Sequence, residues 1–326
     1  MPLQETRPQA STLMQLQHFT NKHLLKLERL TLKKTMKSIL AFAAIAATLS
    51  ACSGATPAAS GQDDKTITFA SVPGWDDTVA VTGLWSVLLE EHGYKVETKN
   101  IDVAPGFAGV ARGDIDGLLN SWLPSTHGSY ADKYKDDILI ADEPYFANDE
   151  LVLAVPESAE ENTITDLVQN AEKYESKIIG IEAGSGLMKL LPDVVAKYSA
   201  QEKLSIVEGS TPAALAALKN GIDNNKPVVV TLWKPHWAFA SMPIKALKDD
   251  AQGWPKPDGS YVVLNKEFAE GHADVQGWMS NFKLTEEQYA SLMLTVKEAT
   301  NPAEGSRKWL ETPENRKAAD EWFKSA

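Results

Sequence analysis

Three tryptophans follow strand-like segments of the sequence, at positions where their indole faces can bind a cation. They are Trp75 after residues 66–72, Trp122 after residues 115–119 and Trp233 after residues 227–232. An indole face attracts a cation that lacks hydrogen-bond donors, and each contact contributes about 0.5–2 kcal/mol. Three faces together supply what micromolar capture requires after the costs of association. The alternative is that each indole fills the edge of a hydrophobic core; the three matched positions favour the cation site.

A glycine-rich turn at residues 180–186 offers a second binding element, one suited to an anion. A strand-like run enters the turn, and a helix is predicted to begin at Gly186. Unpaired N–H groups at such a helix start bind anions without a formal charge. The turn lacks the lysine and the spacing of a phosphate-binding loop, so a carboxylate is expected rather than ATP. Many links between strands and helices are rich in glycine, so the turn alone is a weak signal.

Two kinds of titratable residue stand close to the tryptophans in the sequence. His127, in the segment that begins at Trp122, can donate a hydrogen bond to the same carboxylate, although a single histidine is more often an ordinary surface or core residue. Asp76 and Asp77 directly follow Trp75 and can contact a ligand. Their commoner role at such a position is to cap the helix that follows.

Strand-like and helix-like runs alternate along the chain from residue 66. Strands separated by crossover helices imply parallel sheets with helices on both faces. Two such groups, the first completed by segments that return after the second, predict an α/β protein of two lobes with a cleft between them. We place the first lobe at residues 66–152 and 238–326 and the second at 153–237. Ligands in such sheets bind at the carboxyl ends of the strands, where the tryptophans are expected.

The charge and the cysteine content argue against several kinds of partner and site. The formal charge is −12, and because residues 1–51 carry seven Lys and Arg against two Glu, the remainder sits near −17. So acidic a body repels nucleic-acid phosphates and anionic membrane surfaces. The single cysteine, Cys52, excludes an internal disulfide and every cysteine-cluster metal site. We therefore expect no nucleic-acid partner, no metal and no cofactor.

The segment that ends at Cys52 has the features of an export signal. Met36 and Lys37 precede an apolar run of residues 39–49, and small residues lead from that run to the cysteine. The run is too short to span a bilayer as a mature helix. A cysteine at this junction resembles the lipobox of bacterial lipoproteins, in which the thiol is lipidated and becomes the new N-terminus.

This resemblance predicts a membrane anchor. We expect residues 1–51 to be a signal region, with translation beginning at Met36, so that residues 1–35 are not made. Residues 52–65 are small and polar and are expected to be a tether between lipid and body. More than one acyl chain on Cys52 would hold the protein stably at a membrane.

Motifs of catalysis are lacking in the sequence. It contains no Gly-x-Ser-x-Gly elbow and no His-Glu-x-x-His pair, and its one cysteine belongs to the export signal. His127, His236 and Asp77 are of types that occur in hydrolytic active sites, but no motif positions a nucleophile beside them. We therefore expect a binding protein rather than an enzyme.

Six segments, taken in order, resemble the glycine betaine-binding proteins of ABC transporters. They are residues 73–76, 103–111, 113–116, 122–127, 184–188 and 233–237. The pieces Trp-Leu-Pro-x-Thr-His and Trp-x-Pro-His-Trp are the most specific, and the resemblance runs from about residue 66 to the C-terminus. It implies a two-lobed α/β periplasmic-binding-protein fold of type II, with the ligand cleft between the lobes. It also implies an extracytoplasmic monomer that passes its ligand to an ABC transporter permease.

The resemblance assigns roles to particular residues. Trp75, Trp122 and Trp233 would surround the trimethylammonium group of the ligand. The backbone amides of Gly186 and Leu187, together with His127, would bind its carboxylate. Lys234 departs from the family pattern, because an ammonium group beside a cation site is repulsive unless it points to solvent.

The sequence leaves open which ligand binds and whether the protein serves transport or sensing. The related choline-binding proteins share the tryptophans but use an acidic residue near the first of them for the ligand hydroxyl, and Asp77 stands where that contact is possible. The intact glycine turn favours glycine betaine over choline, with carnitine and related betaines as further candidates. A ligand-sensing input domain would use the same fold and the same residues.

Overall fold

The strands of this computed structural model, which describes residues 65–324, join into one continuous mixed sheet. They are β1 (Thr66–Ser71), β2 (Lys95–Asn100), β3 (Gly117–Leu123), β4 (Ile138–Ile140), β5 (Phe146–Pro156), β6 (Lys177–Ile179), β7 (Ser205–Val207), β8 (Val230–Lys234), β9 (Ile244–Ala246) and β10 (Asp258–Asn265). Their order across the sheet is β2-β1-β3-β10-β5-β8-β6-β7, with β4 paired to β10 and β9 paired to β5.

The helices connect these strands and cover the sheet. They are α1 (Asp76–Glu91), α2 (Val103–Ala111), α3 (Gly128–Tyr134), α4 (Ile164–Gln169), α5 (Gly186–Lys197), α6 (Thr211–Asp223), α7 (Ala238–Ser241), α8 (Lys266–Gly271), α9 (Ala273–Ser280), α10 (Glu286–Glu298), α11 (Pro302–Leu310) and α12 (Pro313–Trp322), with a 3₁₀ turn at Ala171–Tyr174. The alternation of strands and helices confirms the predicted α/β class.

The sheet has two halves of similar construction. In the first half-sheet, β2, β1 and β3 are parallel, and β10 runs antiparallel to β3. In the second half-sheet, β7, β6 and β8 are parallel, and β5 runs antiparallel to β8. The sequence predicted the parallel strands with their crossover helices, but the antiparallel direction of β5 and β10 comes from the structure.

Strand β5 belongs to both half-sheets. Its first residues pair with β10, and from Glu150 onward it pairs with β8. Asn148, close to this change of partner, has a φ of 72°. Asparagine tolerates the left-handed region better than most residues. The strand is thereby locally distorted where it passes from one half-sheet to the other.

Two of the tryptophans lie inside strands rather than after them, which corrects the prediction. Trp122 belongs to β3 and pairs with Ser260 of β10, and Trp233 belongs to β8 and pairs with Leu151 of β5. Both strands extend further than their β-branched runs because an antiparallel neighbour pairs with their carboxyl ends. Only Trp75 stands outside a strand, as the N-cap residue of α1.

The C-terminal helices fix α1, whose first turn carries part of the site. A hydrophobic cluster joins α1 to helices α9–α12, and Trp85 of α1 lies at its centre with no exposed surface. The Trp85 ring packs edge-on against Phe282, with centroids 5.5 Å apart, and lies near Trp322 at 6.2 Å. These contacts give α1 a defined position relative to the first half-sheet.

Several predictions concern residues that the structure does not describe or does not test. The signal region 1–51, Cys52 and the tether up to residue 64 lie outside the described residues. The described region packs as one compact unit, so the lobe boundaries at 152/153 and 237/238 stay a prediction. Among residues 65–324, no helix has both the length and the apolar character needed to cross a membrane.

The contact between α10 and α11 generates a stability prediction. A Cβ added to Gly305 of α11 would lie 2.5 Å from the Cα of Val296 and 2.9 Å from the Thr295 carbonyl oxygen of α10. We expect Gly305→Ala to lower the free energy of unfolding by about 1–3 kcal/mol, because backbone atoms cannot move aside easily. Urea denaturation of the purified protein measures the change.

Gly277 of α9 is the matched control, because a Cβ there would meet no atom within 4 Å. Alanine is the better helix former, so Gly277→Ala should raise the free energy of unfolding by up to about 1 kcal/mol. Equal effects of the two substitutions would contradict the proposed close approach at Gly305.

Candidate functional site

One cavity contains seven of the eight residues for which the sequence suggested ligand contact, and Asp76 is the exception. It lies where both half-sheets contribute, and its lining comprises Trp75, Asp77, Asn120, Trp122, Thr126, His127, Leu151, Ile181, Ser185, Gly186, Leu187 and Trp233. Most of these residues come from strands, from the turns that follow them and from the first turns of the next helices, as expected for a sheet of this class. Separate stretches of the chain, from Trp75 to Trp233, thus converge on one small volume.

The aromatic walls of the cavity are set at an angle to one another. The Trp75 and Trp233 ring centroids are 6.2 Å apart and their planes are inclined by 59°. The His127 ring is nearly parallel to Trp75, at 6.0 Å and 7°. Trp75, Trp122 and Trp233 are each less than a tenth exposed. Desolvated indole faces of this kind attract a cation most strongly.

His127 is a neutral hydrogen-bond donor, and its backbone surroundings show why. Its Nδ1 accepts a hydrogen bond from the backbone N–H of Trp122 at 2.9 Å, so the ring proton must be on Nε2. Burial, with a smaller contribution from Lys189, lowers the pKa of His127 to about 3. Its buried Nε2 has no hydrogen-bond partner among the described residues. A buried N–H of this kind is costly unless a ligand accepts from it.

A carboxylate from β10 holds the loop that presents His127. Asp258 accepts hydrogen bonds from the backbone N–H of Ser125 at 2.7 Å and of Thr126 at 2.8 Å. The Thr126 hydroxyl donates a third, at 2.6 Å. These bonds fix the backbone immediately before His127, so the imidazole has a defined position at the cavity.

Helix α5 begins at the cavity beside this loop, where Gly186 approaches the Thr126 carbonyl oxygen. Ser185 is its N-cap, and the Ser185 hydroxyl accepts a hydrogen bond from the backbone N–H of Met188 at 3.1 Å. The N–H groups of Gly186 and Leu187 belong to the first turn, where no intrahelical acceptor exists. Together with the helix dipole they favour a negative group beside them. The unpaired Nε2 of His127 lies on the same cavity, so two independent kinds of donor are present.

Asp77 lies in the cavity lining, and the prediction that an aspartate caps α1 is wrong. The N-cap is Trp75, and it makes no side-chain capping bond. Asp77 is 3% exposed and accepts a hydrogen bond from the backbone N–H of Thr78 at 2.8 Å. Burial, with a smaller contribution from the charge of Asp76, raises the pKa of Asp77 to about 6. The carboxyl is therefore mostly ionised at neutral pH, at the cost of its desolvation.

Asp76 turns away from the cavity to bind other partners. It accepts a hydrogen bond from the Trp237 indole at 2.5 Å and forms an ion pair with Lys297 at 3.3 Å. Lys234 also turns away, with its ammonium group 5.4 Å from the centre of the Phe239 ring. Lys234 is absent from the cavity lining. Its ammonium group is therefore not placed to repel a cation bound in the cavity, as the sequence analysis considered.

Sequence reasoning missed several residues of the cavity and its supports. Asn120, Thr126 and Ser185 line the cavity; Thr126 and Ser185 lie inside the segments 122–127 and 184–188, and Asn120 lies two residues before Trp122. Their polarity and their proximity to Trp122, His127 and Gly186 were a usable signal. Two apolar lining residues, Leu151 and Ile181, had no local signal, and neither did two supporting carboxylates, the half-buried Glu182 and the buried Asp258. Within the described residues, no cluster suited to hold a metal ion occurs.

Comparisons with known proteins agree with this geometry. The family model for the substrate binding domain of ABC-type glycine betaine transport systems matches residues 65–312. The glycine betaine/carnitine transport binding protein GbuC of Listeria monocytogenes is 27% identical over 140 residues, which are 43% of this chain and 47% of that protein. The chain thus matches about half the length of this relative.

Two solved structures share the fold. Lactococcal OpuAC, in its closed-liganded conformation with glycine betaine, has a TM-score of 0.73 and 27% identity over 80% of this chain and 100% of that chain. An ABC-transporter choline-binding protein in complex with choline has a TM-score of 0.69 and 21% identity over 78% and 91%. The expected two-lobed periplasmic-binding-protein fold and the resemblance stated from the motifs are confirmed.

The ionisation of Asp77 predicts how binding of a simple quaternary cation depends on pH. The probe is tetramethylammonium, which carries no titratable group. A bound cation favours the ionised carboxyl, so affinity should be constant above pH 7 and fall below about pH 6, by at most roughly tenfold per pH unit. His127 stays neutral over this range because its pKa is about 3. Calorimetric titrations between pH 5 and pH 8 measure the profile.

The control is Asp77→Asn, which keeps the shape of the side chain but cannot ionise. Its affinity for tetramethylammonium should be lower at pH 7.5 and nearly flat with pH. Identical profiles for the variant and the unchanged protein would rule out Asp77 as the titrating group.

Proposed function

Because this chain belongs to the substrate-binding domains of ABC-type glycine betaine transport systems, we propose that it captures glycine betaine, or a close quaternary-ammonium analogue, and delivers it to the permease of an ABC importer. One observation carries the choice of ligand. A single buried cavity holds indole faces and, beside them, the unpaired Nε2–H of His127 and the first turn of α5. The two ends of a small zwitterion thus find complementary groups within one cavity.

The cationic end of the ligand would lie against Trp75, Trp122 and Trp233. A trimethylammonium group has no N–H and cannot be satisfied by hydrogen bonds, so apolar surface with negative quadrupole density is its best environment. The inclined planes of Trp75 and Trp233 offer faces on two sides of such a group. Asp77 adds a formal negative charge to the same lining.

The carboxylate end would accept hydrogen bonds from His127 and from the backbone of Gly186 and Leu187. These donors are fixed before the ligand arrives, His127 by the loop bound to Asp258 and α5 by its Ser185 cap. Preorganised donors lose little conformational entropy on binding, which supports affinity for a small ligand. Since the donors are neutral, they accommodate a carboxylate without repelling the cation beside it.

Choline is the second candidate, and the position of Asp77 favours it. Asp77 is in the cavity lining, two residues after Trp75. A buried carboxylate can accept a hydrogen bond from a ligand hydroxyl and also attract the cation. A carboxylate ligand would face some repulsion from Asp77, whereas choline would not.

The sequence supports an anchored, extracytoplasmic setting for this role. We propose that Cys52 is lipidated and that the following residues tether the body to a membrane, close to the permease. We further propose that the two lobes, 66–152 with 238–326 and 153–237, close on the ligand. The family consists of substrate-binding proteins, so we propose binding without catalysis.

Calorimetric titration with glycine betaine and then choline, at one pH and salt concentration, tests the proposal. We expect micromolar or tighter binding of glycine betaine and weaker binding of choline. The reverse order would indicate that choline is the ligand and that Asp77 accepts a hydrogen bond from its hydroxyl. Binding of neither ligand would contradict the proposal.

Whichever of the two ligands binds more tightly, Trp233→Ala should lower its affinity by about tenfold, which lies in the upper part of the range for a desolvated cation–π contact. The same calorimetric titration measures the loss.

Gly186 generates a prediction about closure around the ligand. A Cβ at this position would overlap the carbonyl oxygen of Thr126. We expect Gly186→Ala to keep the cavity walls apart and to weaken ligand binding by at least about tenfold, with little change in the melting temperature of the ligand-free protein.

Gly184, in the same turn, provides the control. A Cβ there would meet no atom within 4 Å, so Gly184→Ala should bind the ligand nearly as well as the unchanged protein. Equal losses from the two substitutions would show that turn flexibility, rather than the contact with Thr126, governs binding.

A further inference from the structure

Glu182 is a half-buried carboxylate that stands next to the cavity without lining it. Its Oε2 accepts a hydrogen bond from the Trp75 indole Nε1–H at 3.0 Å. Trp75 belongs to the turn after β1 of the first half-sheet, and Glu182 to the turn after β6 of the second. The bond therefore crosses from one cavity wall to the other. We propose that Glu182 is a positioning residue that orients the Trp75 ring for the cation and joins the two walls. This inference rests on the proposed function.

Glu182 is held in place by its own half-sheet. The backbone N–H of Thr211 donates to Oε1 at 2.9 Å, and the Thr211 hydroxyl donates to Oε2 at 2.9 Å. Thr211 is the first residue of α6, where the helix dipole also favours a negative charge. The carboxylate is thus fixed whether or not Trp75 is present. Trp75 meets a preformed acceptor when the walls come together.

A second contact brings the same two segments together. Gly74 has a φ of 87°, and a Cβ there would lie 3.1 Å from the Cδ of Pro212 and 3.8 Å from the Cβ of Thr211. The turn that carries Trp75 therefore packs directly on the start of α6. The indole bond to Glu182 and the packing of Gly74 on Pro212 have the same effect, because both place the Trp75 turn against the start of α6.

The bond to Glu182 sets the plane of the ring. With Nε1–H directed at a fixed carboxylate, the indole cannot rotate freely, and its plane stays nearly parallel to His127, at 7°. A negative charge at the N–H edge also increases the electron density of the ring, which strengthens its attraction for a cation. Trp233 differs, since its buried Nε1 has no partner among the described residues. Of these two tryptophans, Trp75 is the one whose orientation depends on a charged partner.

A double-mutant cycle between Glu182 and Trp75 tests this inference on the full chain. The variants are Glu182→Ala, Trp75→Phe and the two combined, titrated with whichever of glycine betaine and choline the unchanged protein binds more tightly. Phenylalanine keeps an aromatic face but lacks the N–H. We expect Glu182→Ala to weaken binding by about tenfold or more, as for loss of a hydrogen bond to a charged group, mainly through faster dissociation.

The cycle separates positioning from a general structural role. If Glu182 acts through the Trp75 N–H, Glu182→Ala should cause little further loss in the Trp75→Phe background. Glu182→Gln, which can still accept from the indole, should retain affinity within about threefold of the unchanged protein, because it keeps that acceptor. Glu208→Ala removes an equally negative but exposed side chain just after β7, and it should leave affinity unchanged. Should Glu182→Ala not fold, Glu182→Asp replaces it in the cycle, since it keeps the negative charge but its shorter side chain withdraws the carboxylate from the indole.

Each outcome bears on one proposal only. If the unchanged protein binds neither ligand, the proposed function fails. If it binds and Glu182→Ala has the affinity of the unchanged protein, the role of Glu182 is overturned while the function stands. Additive losses in the cycle, or a loss from Glu208→Ala equal to that from Glu182→Ala, would likewise overturn the role of Glu182.

Discussion

The close approach of Gly186 to the Thr126 carbonyl constrains the rest of the cavity. Helix α5 starts at this contact, so its first N–H groups lie beside the loop that continues into His127. That loop is held from behind by Asp258 of β10. The donors for an anion therefore come from both half-sheets, and their spacing is correct only when the two walls meet. A residue with any side chain at 186 would separate them.

The electrostatics of the site follow from burial. Asp77, Asp149 and Asp258 are all at most 5% exposed. Burial raises the pKa of Asp149 well above its ordinary value, and the charges of Asp77 and Asp258 raise it further. These neighbouring negative charges oppose the ionisation of Asp149. The same burial keeps His127 neutral, so the cavity combines negative charge near the indoles with an uncharged donor for an anion.

Local motifs made much of the site predictable from the sequence. Trp122 and His127 belong to one short segment, and Gly186 and Leu187 open a helix whose start is marked by a serine cap, so their chemistry could be read without tertiary information. The alternation of β-branched runs and helical runs likewise indicated the α/β class. These features are set by neighbours within a few residues, which is the range over which sequence patterns are informative.

Features that depend on distant partners could not be predicted. Trp122 and Trp233 lie inside strands because β10 and β5 pair with their carboxyl ends, and nothing near either tryptophan shows this. Asp76 does not cap α1 but binds the Trp237 indole and Lys297, which lie far along the chain. Glu182 meets Trp75 across 107 residues. In each case a tertiary contact outweighed the local preference.

Strand β5 has a mechanical consequence for how the cavity opens. Since it pairs in both half-sheets, the two walls are parts of one hydrogen-bonded sheet and cannot separate as independent bodies. Rotation of one half-sheet against the other is compatible with these shared hydrogen bonds, whereas sliding along the strand would break them. Asn148, in the left-handed region, lies beside the change of partner. Any movement of one wall relative to the other must therefore run through the backbone of β5, as a change in the twist between the half-sheets.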